Sequence, residues 1–283
     1  MSLTVTLRPS RGRAATLFAV LLTAGLAAAG CGGGGSASRP NGTAASQITV
    51  AAASDLRPAF NELGQLFTAR TGVKVTFSFG SSGQLSQQIV NGAPYDLFAS
   101  ASRDYVDEVI RVGRGIASTE ADYGLGQIVL LTRSGLEPPR QVGDLVDPKY
   151  ARVAIANPEH APYGAAAKEA LQAADVYDQV TNRLVFGESI SDTFEIVKSG
   201  NADVGLIALS LAIADGSKYT LIPTSLYTEL RQTLVVTSTG MQADAASAFA
   251  NLISSAEGRA VMVRFGFALP GETLPDPTTT ANG

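Results

Sequence analysis

The sequence predicts an α/β protein whose sheets are covered by helices on both faces. Short apolar, β-branched runs alternate with amphipathic stretches along residues 47–270. Repeated strand–helix–strand units of this kind imply parallel sheets buried between helices. Several strand ends run directly into Ser- and Gly-rich turns that open the next helix. In open α/β sheets, ligands bind at such junctions, beyond the carboxyl ends of the strands.

Taken in order, residues 48–53 read as a buried strand and 56–70 as an amphipathic helix. Alternation over 73–79 gives a second strand, and 84–90 a helix closed by Asn91-Gly92. A strand at 96–100 and a helix at 103–112 follow, then apolar strands at 127–132 and 152–156. Residues 165–174 and 191–199 are expected to be helical, and 202–208 to be a strand. Residues 234–237 end the strand series, and two helices close the fold.

The ends of the chain are of another kind. Arg8, Arg11 and Arg13 precede an apolar, small-residue run over 14–29 that ends at Gly30-Cys31. Basic, then apolar, then small is the order of a secretory signal, and the run falls short of the roughly 20 residues of a membrane span. Cys31 is the only cysteine of the 283 residues, so it cannot form an internal disulfide. Ala28-Ala29-Gly30-Cys31 resembles a bacterial lipobox with Ala28 in place of the usual Leu, which predicts a lipid on Cys31. The expected organisation is a signal at 1–30, a Gly/Ser tether at 31–46 and a Pro/Thr-rich tail at 271–283, with the fold between them.

Charge narrows the partners. Removing the signal leaves 18 basic against 25 acidic residues, a net charge of −7. An acidic chain without Lys/Arg clusters is not a nucleic-acid binder. Any anion site must therefore draw its positive potential from local dipoles.

Four junctions offer such dipoles: Ala53-Ser54-Asp55-Leu56, Gly80-Ser81-Ser82-Gly83, His160-Ala161-Pro162-Tyr163-Gly164 and Glu188-Ser189-Ile190-Ser191. Each supplies hydroxyls or first-turn N–H groups at a helix start. Several converging on one point make an anion site without any Lys or Arg. Singly, a Ser or Asp before a helix is an ordinary N-cap; it is the recurrence that points to binding.

The chain also resembles a known family, the periplasmic molybdate-binding proteins of ABC importers. The residues carrying this are Val50-Ala-Ala-Ala-Ser-Asp-Leu, Phe79-Gly-Ser-Ser-Gly-Gln-Leu and Asn91-Gly-Ala-Pro-Tyr-Asp-Leu-Phe-Ala-Ser, followed by Asn157-Pro-Glu-His-Ala-Pro-Tyr-Gly, Asp203-Val-Gly-Leu-Ile-Ala-Leu-Ser and Phe265-Gly-Phe-Ala-Leu-Pro. The resemblance implies a type II periplasmic-binding-protein fold closing on a tetrahedral dianion, molybdate or tungstate. Lobe one would hold 47–126 and 231–270, and lobe two 127–230. Ser54 and Ser82 would each give a hydroxyl and a backbone N–H, and Asp55, Tyr163 and Ile190 backbone N–H groups. No cofactor or protein-bound metal is expected. The expected partners are a membrane permease with its ATPase, acting on a monomer. Some family members place a cleft Tyr where Ala208 stands, and Ser210 is a candidate substitute.

Asp55 is the awkward residue, because a carboxylate repels a dianion unless it turns away to cap the helix or pair with Arg57. It also keeps a phosphate site open, since a carboxylate can accept the proton of monohydrogen phosphate; sulfate is the other alternative. A serine hydrolase would have to use His160, the only histidine, and no Gly-x-Ser-x-Gly elbow accompanies it. His160 is read instead as a rim residue beside Pro162-Tyr163, whose removal should change affinity by no more than about threefold. The tyrosines, among them Tyr95, Tyr105 and Tyr123, are too scattered for iron ligands. A structural surface lipoprotein would explain the leader and tether but not the four junctions.

Overall fold

The computed structural model describes residues 46–272. The expected leader, Cys31, the tether to residue 45 and the tail from 273 lie outside the described residues.

Two five-stranded sheets form the frame. The first holds β1 (Gln47–Ala53), β2 (Lys74–Gly80), β3 (Leu97–Ser100), β4 (Ala121–Gly126) and β10 (Leu230–Val236), in the order β2-β1-β3-β10-β4. The second holds β5 (Ile128–Thr132), β6 (Val153–Ala156), β7 (Leu184–Gly187), β8 (Val204–Ala208) and β9 (Tyr219–Leu221), in the order β7-β6-β8-β5-β9. The chain passes between sheets over Gly126–Ile128 and returns between Leu221 and Leu230.

The sheets are mixed rather than parallel. β2, β1 and β3 are parallel, but β10 is antiparallel to both β3 and β4. In the second sheet β7, β6 and β8 are parallel, and β5 is antiparallel to β8 and β9. The cause is the double crossing. β5 and β10 each enter from the other lobe at the cleft end, without the crossover helix that would make them parallel.

Helices α1 (Arg57–Thr71), α2 (Ser82–Val90), α3 (Arg103–Arg111), α8 (Ala243–Ser254) and α9 (Ala256–Arg264) belong to the first lobe. Helices α4 (Pro162–Ala173), α5 (Tyr177–Val180), α6 (Ile190–Lys198) and α7 (Leu209–Asp215) belong to the second. Leu56, Phe60, Leu63 and Phe67 recur at helical spacing and are buried. Phe60 and Phe67 meet Phe249 of α8 edge-on at 6.1 and 5.3 Å, so one aromatic cluster ties the chain's return to its start. Truncating a buried Phe here would cost about 3–5 kcal/mol, which fixes the frame that carries the junctions.

Residues 121–126, 184–187 and 219–221 are strands that the sequence does not announce. Gly124 and Gly126 interrupt the first, and the other two are only four and three residues long. Among the described residues no helix is long and apolar enough to cross a membrane.

Candidate functional site

The four junctions meet between the lobes. Ser54 and Asp55 follow β1, Ser82 is the first residue of α2, Tyr163 the second of α4 and Ile190 the first of α6. Together with Ala53, Gly80, Ser81, Ala101, Ala161 and Pro162, they line one small cavity. No Lys or Arg lines it. A larger groove opens beside it, but Asp104, Glu169 and Glu229 line that groove. Its acid wall makes it the poorer place for an anion.

The first turns of the three helices explain what the cavity offers. In α2, Leu85 N donates to Ser81 O (3.1 Å), Gln84 N to Ser81 Oγ (3.4 Å) and Gly83 N to His160 O (2.9 Å). In α6, Thr193 N donates to Ser189 O (2.9 Å), Asp192 N to Ser189 Oγ (3.2 Å) and Ser191 N to Ser54 Oγ (3.1 Å). In α4, Ala165 and Gly164 both donate to Ala161 O (3.0 and 2.9 Å), and Pro162 has no N–H. Among the described residues, one amide per helix is left without a partner: Ser82, Ile190 and Tyr163. All three belong to the cavity lining, where the positive ends of the helix dipoles converge.

The two serines are set as donors. Ser82 Oγ accepts the Ala101 amide at 3.0 Å, and Ser54 Oγ accepts that of Ser191. A hydroxyl that already accepts keeps its one proton to give. Both side chains are buried, so that proton has little water to compete for it.

Asp55 neither caps the helix nor pairs with Arg57. The Arg57 guanidinium lies 4.5 Å over the Phe79 ring, and the Asp55 carboxylate turns to the strands that cross between the lobes. Its Oδ2 accepts Tyr163 Oη at 3.0 Å and Gln232 Nε2 at 2.8 Å. Gln232 is positioned in turn by Tyr123, whose hydroxyl lies 3.1 Å from Gln232 Oε1. The carboxylate's other oxygen, Oδ1, is buried without a partner. Burial pushes the Asp55 carboxyl up to about 6, against the opposing pull of Tyr163, Gln232 and the nearby amides of Asp55 and Leu56. Those amides lie near but do not reach hydrogen-bond geometry with Oδ1. Burial, and then the Asp55 charge, hold the Tyr163 phenol well above its usual range, so it stays a neutral donor.

Ser210 does not stand in for a cleft tyrosine. Its hydroxyl donates to the Asp55 main-chain oxygen at 2.7 Å, it is absent from the cavity lining, and Ala208 beside it is buried. Gln232 and Tyr123 are supporting residues outside the junction motifs; the Ser191 hydroxyl, inside one, donates to Ser54 O at 2.9 Å. His160 lies outside the cavity lining, as expected of a rim residue, and its Nδ1 lies 2.8 Å from Ser81 Oγ across the cleft. Among the described residues, no group of His, Cys, Asp and Glu could hold a metal ion.

This architecture has known counterparts. Residues 48–268 match the family model of bacterial extracellular solute-binding proteins. The molybdate-binding protein ModA of Rhodobacter capsulatus is 34% identical over 227 residues, 79% of this chain and 89% of that one. ModA of Mycobacterium tuberculosis is 30% identical over 266 residues, 92% of this chain and 98% of its own. The solved periplasmic molybdate-binding protein of Azotobacter vinelandii superposes with a TM-score of 0.74 at 28% identity, covering 79% of this chain and 99% of that one. The chain belongs to the bacterial extracellular solute-binding proteins, in the branch of the molybdate-binding protein ModA.

Proposed function

We infer that this protein captures molybdate, and tungstate with it, and delivers the ion to a membrane permease driven by an ATPase. The observation that carries this is the set of leftover donors. Three helix-start amides (Ser82, Tyr163 and Ile190) and two pre-oriented hydroxyls (Ser54 and Ser82) face one small cavity with no cation in its wall. The amides of Ser54 and Asp55 complete the set. Such donors suit a fully ionised tetrahedral oxyanion, which only accepts. A hydrogen bond to a charged group contributes about 1.5–3 kcal/mol. Five to seven of them, less ordering and desolvation, reach the roughly −8 kcal/mol of micromolar binding.

The protein works as a monomer by binding and closure, without a chemical step. Ser54, Asp55 and Ser82 come from one lobe, Tyr163 and Ile190 from the other. Bound oxyanion therefore favours the closed form, which a permease can distinguish from the open one. A lipid on Cys31 and the Gly/Ser tether hold it at the extracytoplasmic face of the membrane. Changing Cys31 to Ser should move the protein from the membrane fraction into the soluble one; retention in membranes would remove the anchor.

Titration calorimetry on the exported chain carrying Cys31→Ser decides the ligand, with molybdate, tungstate, sulfate and phosphate compared at neutral pH. Micromolar or tighter binding of the first two over sulfate is expected, in keeping with the molybdate-binding relatives. Preference for sulfate or phosphate would reassign the cargo, and silence from all four would reject the anion site.

A further inference from the structure

We propose that His160 is a positioning residue that clasps the closed lobes around Ser82 and thereby sets the rate at which ligand leaves. The proposal rests on the oxyanion reading of the cavity but concerns a residue outside the cavity wall.

His160 opens the α4 junction in the second lobe, and it touches both neighbours of Ser82 in the first. Its Nδ1 lies 2.8 Å from Ser81 Oγ, and its main-chain oxygen accepts Gly83 N at 2.9 Å. Ser82, gripped between them, supplies one of the free amides and one of the hydroxyls. A second rung crosses the same gap. Glu188, at the α6 junction, accepts Gln84 Nε2 at 2.8 Å and stands 3.6 Å from His160 Nε2. Because Ser81 Oγ already accepts the Gln84 amide, its proton is free for Nδ1. Nε2 then carries the ring hydrogen towards Glu188.

Backbone approach at this point is tight. A Cβ on Gly83 would come 2.7 Å from His160 O and 2.9 Å from Tyr105 Oη, so glycine is what lets the two junctions close. None of these contacts survives separation of the lobes, since Ser81, Gly83 and Gln84 lie on one and His160 and Glu188 on the other. They stabilise the closed form alone. Ligand enters and leaves through the open form, so the contacts slow exit, which requires opening, and hinder entry only as far as the empty protein closes.

The test uses the exported chain with Cys31→Ser, in wild-type, His160→Ala and His160→Asn versions. Stopped-flow release of molybdate should be about 3- to 10-fold faster in His160→Ala, the worth of one hydrogen bond, with the association rate unchanged or raised. That replaces the threefold ceiling expected of a rim position. Asn can place an amide where Nδ1 sits, so His160→Asn should restore most of the wild-type rate. Spin labels on cysteines placed at Gln87, in α2 of the first lobe, and Glu195, in α6 of the second, read closure directly. The Ala variant should shift towards the longer distance and the Asn variant back. Wild-type release from His160→Ala together with an unshifted distance distribution would overturn the clasp, as would a loss confined to the association rate. If the wild type binds no oxyanion, the cargo assignment fails, while the label distances still decide the clasp.

Discussion

Asp55→Asn is the substitution that most directly probes how the site tolerates a buried carboxylate. Burial raises that carboxyl from 3.8 to about 6. A difference of about two units corresponds to about 3 kcal/mol between the charged and neutral forms. The sign follows from linkage. The folded protein holds the proton more tightly than the unfolded chain does, so Asp55 favours folding most below about pH 4. That contribution is lost as pH rises through about 6. Above that, an ionised Asp55 weakens the fold, and Oδ1, buried without a partner, is where the cost sits. Asn keeps an acceptor for Tyr163 and Gln232 and carries no charge at any pH. Some of the gain is returned, because bonds to a carboxylate are stronger than bonds to an amide. A net gain of about 2 kcal/mol at pH 7.5 is expected, or roughly 4–8 °C in Tm for a fold of this size. Thermal unfolding of both proteins from pH 4.5 to 8 reads it directly. The two Tm curves should converge at the acid end and separate as pH rises through about 6. Parallel curves, or an Asn variant less stable at pH 7.5, would refute the claim that burial dominates over the Tyr163 and Gln232 bonds.

Two further substitutions test the wall and the hinge. Ser82→Ala removes the hydroxyl proposed to face the ion and orphans the Ala101 amide that it accepts at 3.0 Å; molybdate affinity should fall about 10- to 150-fold by calorimetry, and unchanged affinity would mean the site is misplaced. Gly126→Ala sets a methyl 2.9 Å from Gln232 Nε2 and closer still to Tyr163 Oη, so Tyr163 must leave Asp55 or the hinge must shift; a stability loss of about 1–3 kcal/mol and at least a tenfold weaker ion are expected, and a variant that closes and binds normally would show that the crossing strand yields more easily than its packing suggests.

What was legible in the sequence follows the range of the interactions. The run ending at Ala53 and the Ser-Gly turn after Gly80 were readable because apolar periodicity and helix-start chemistry are local, and the same holds for Ser54, Ser82, Tyr163 and Ile190, which do share one cavity. The surroundings of Asp55 were not readable. Local logic offered Arg57, two residues away, but the carboxylate found Tyr163 and Gln232, 108 and 177 positions along the chain, while Phe79 took the guanidinium. Strand direction failed for a related reason. A strand that arrives from the other lobe carries the same apolar pattern as one delivered by a crossover helix, so nothing in residues 128–132 or 230–236 records which way it will run. The deepest gap concerns the donors themselves. Every helix start has several unpaired amides, and the sequence gives all of them equally. Folding decides which are left over, and it does so with contacts between lobes: Ser191 N is taken by Ser54 Oγ and Gly83 N by His160 O. The contacts between lobes that take those amides leave the other three, of Ser82, Tyr163 and Ile190, in the lining of one cavity.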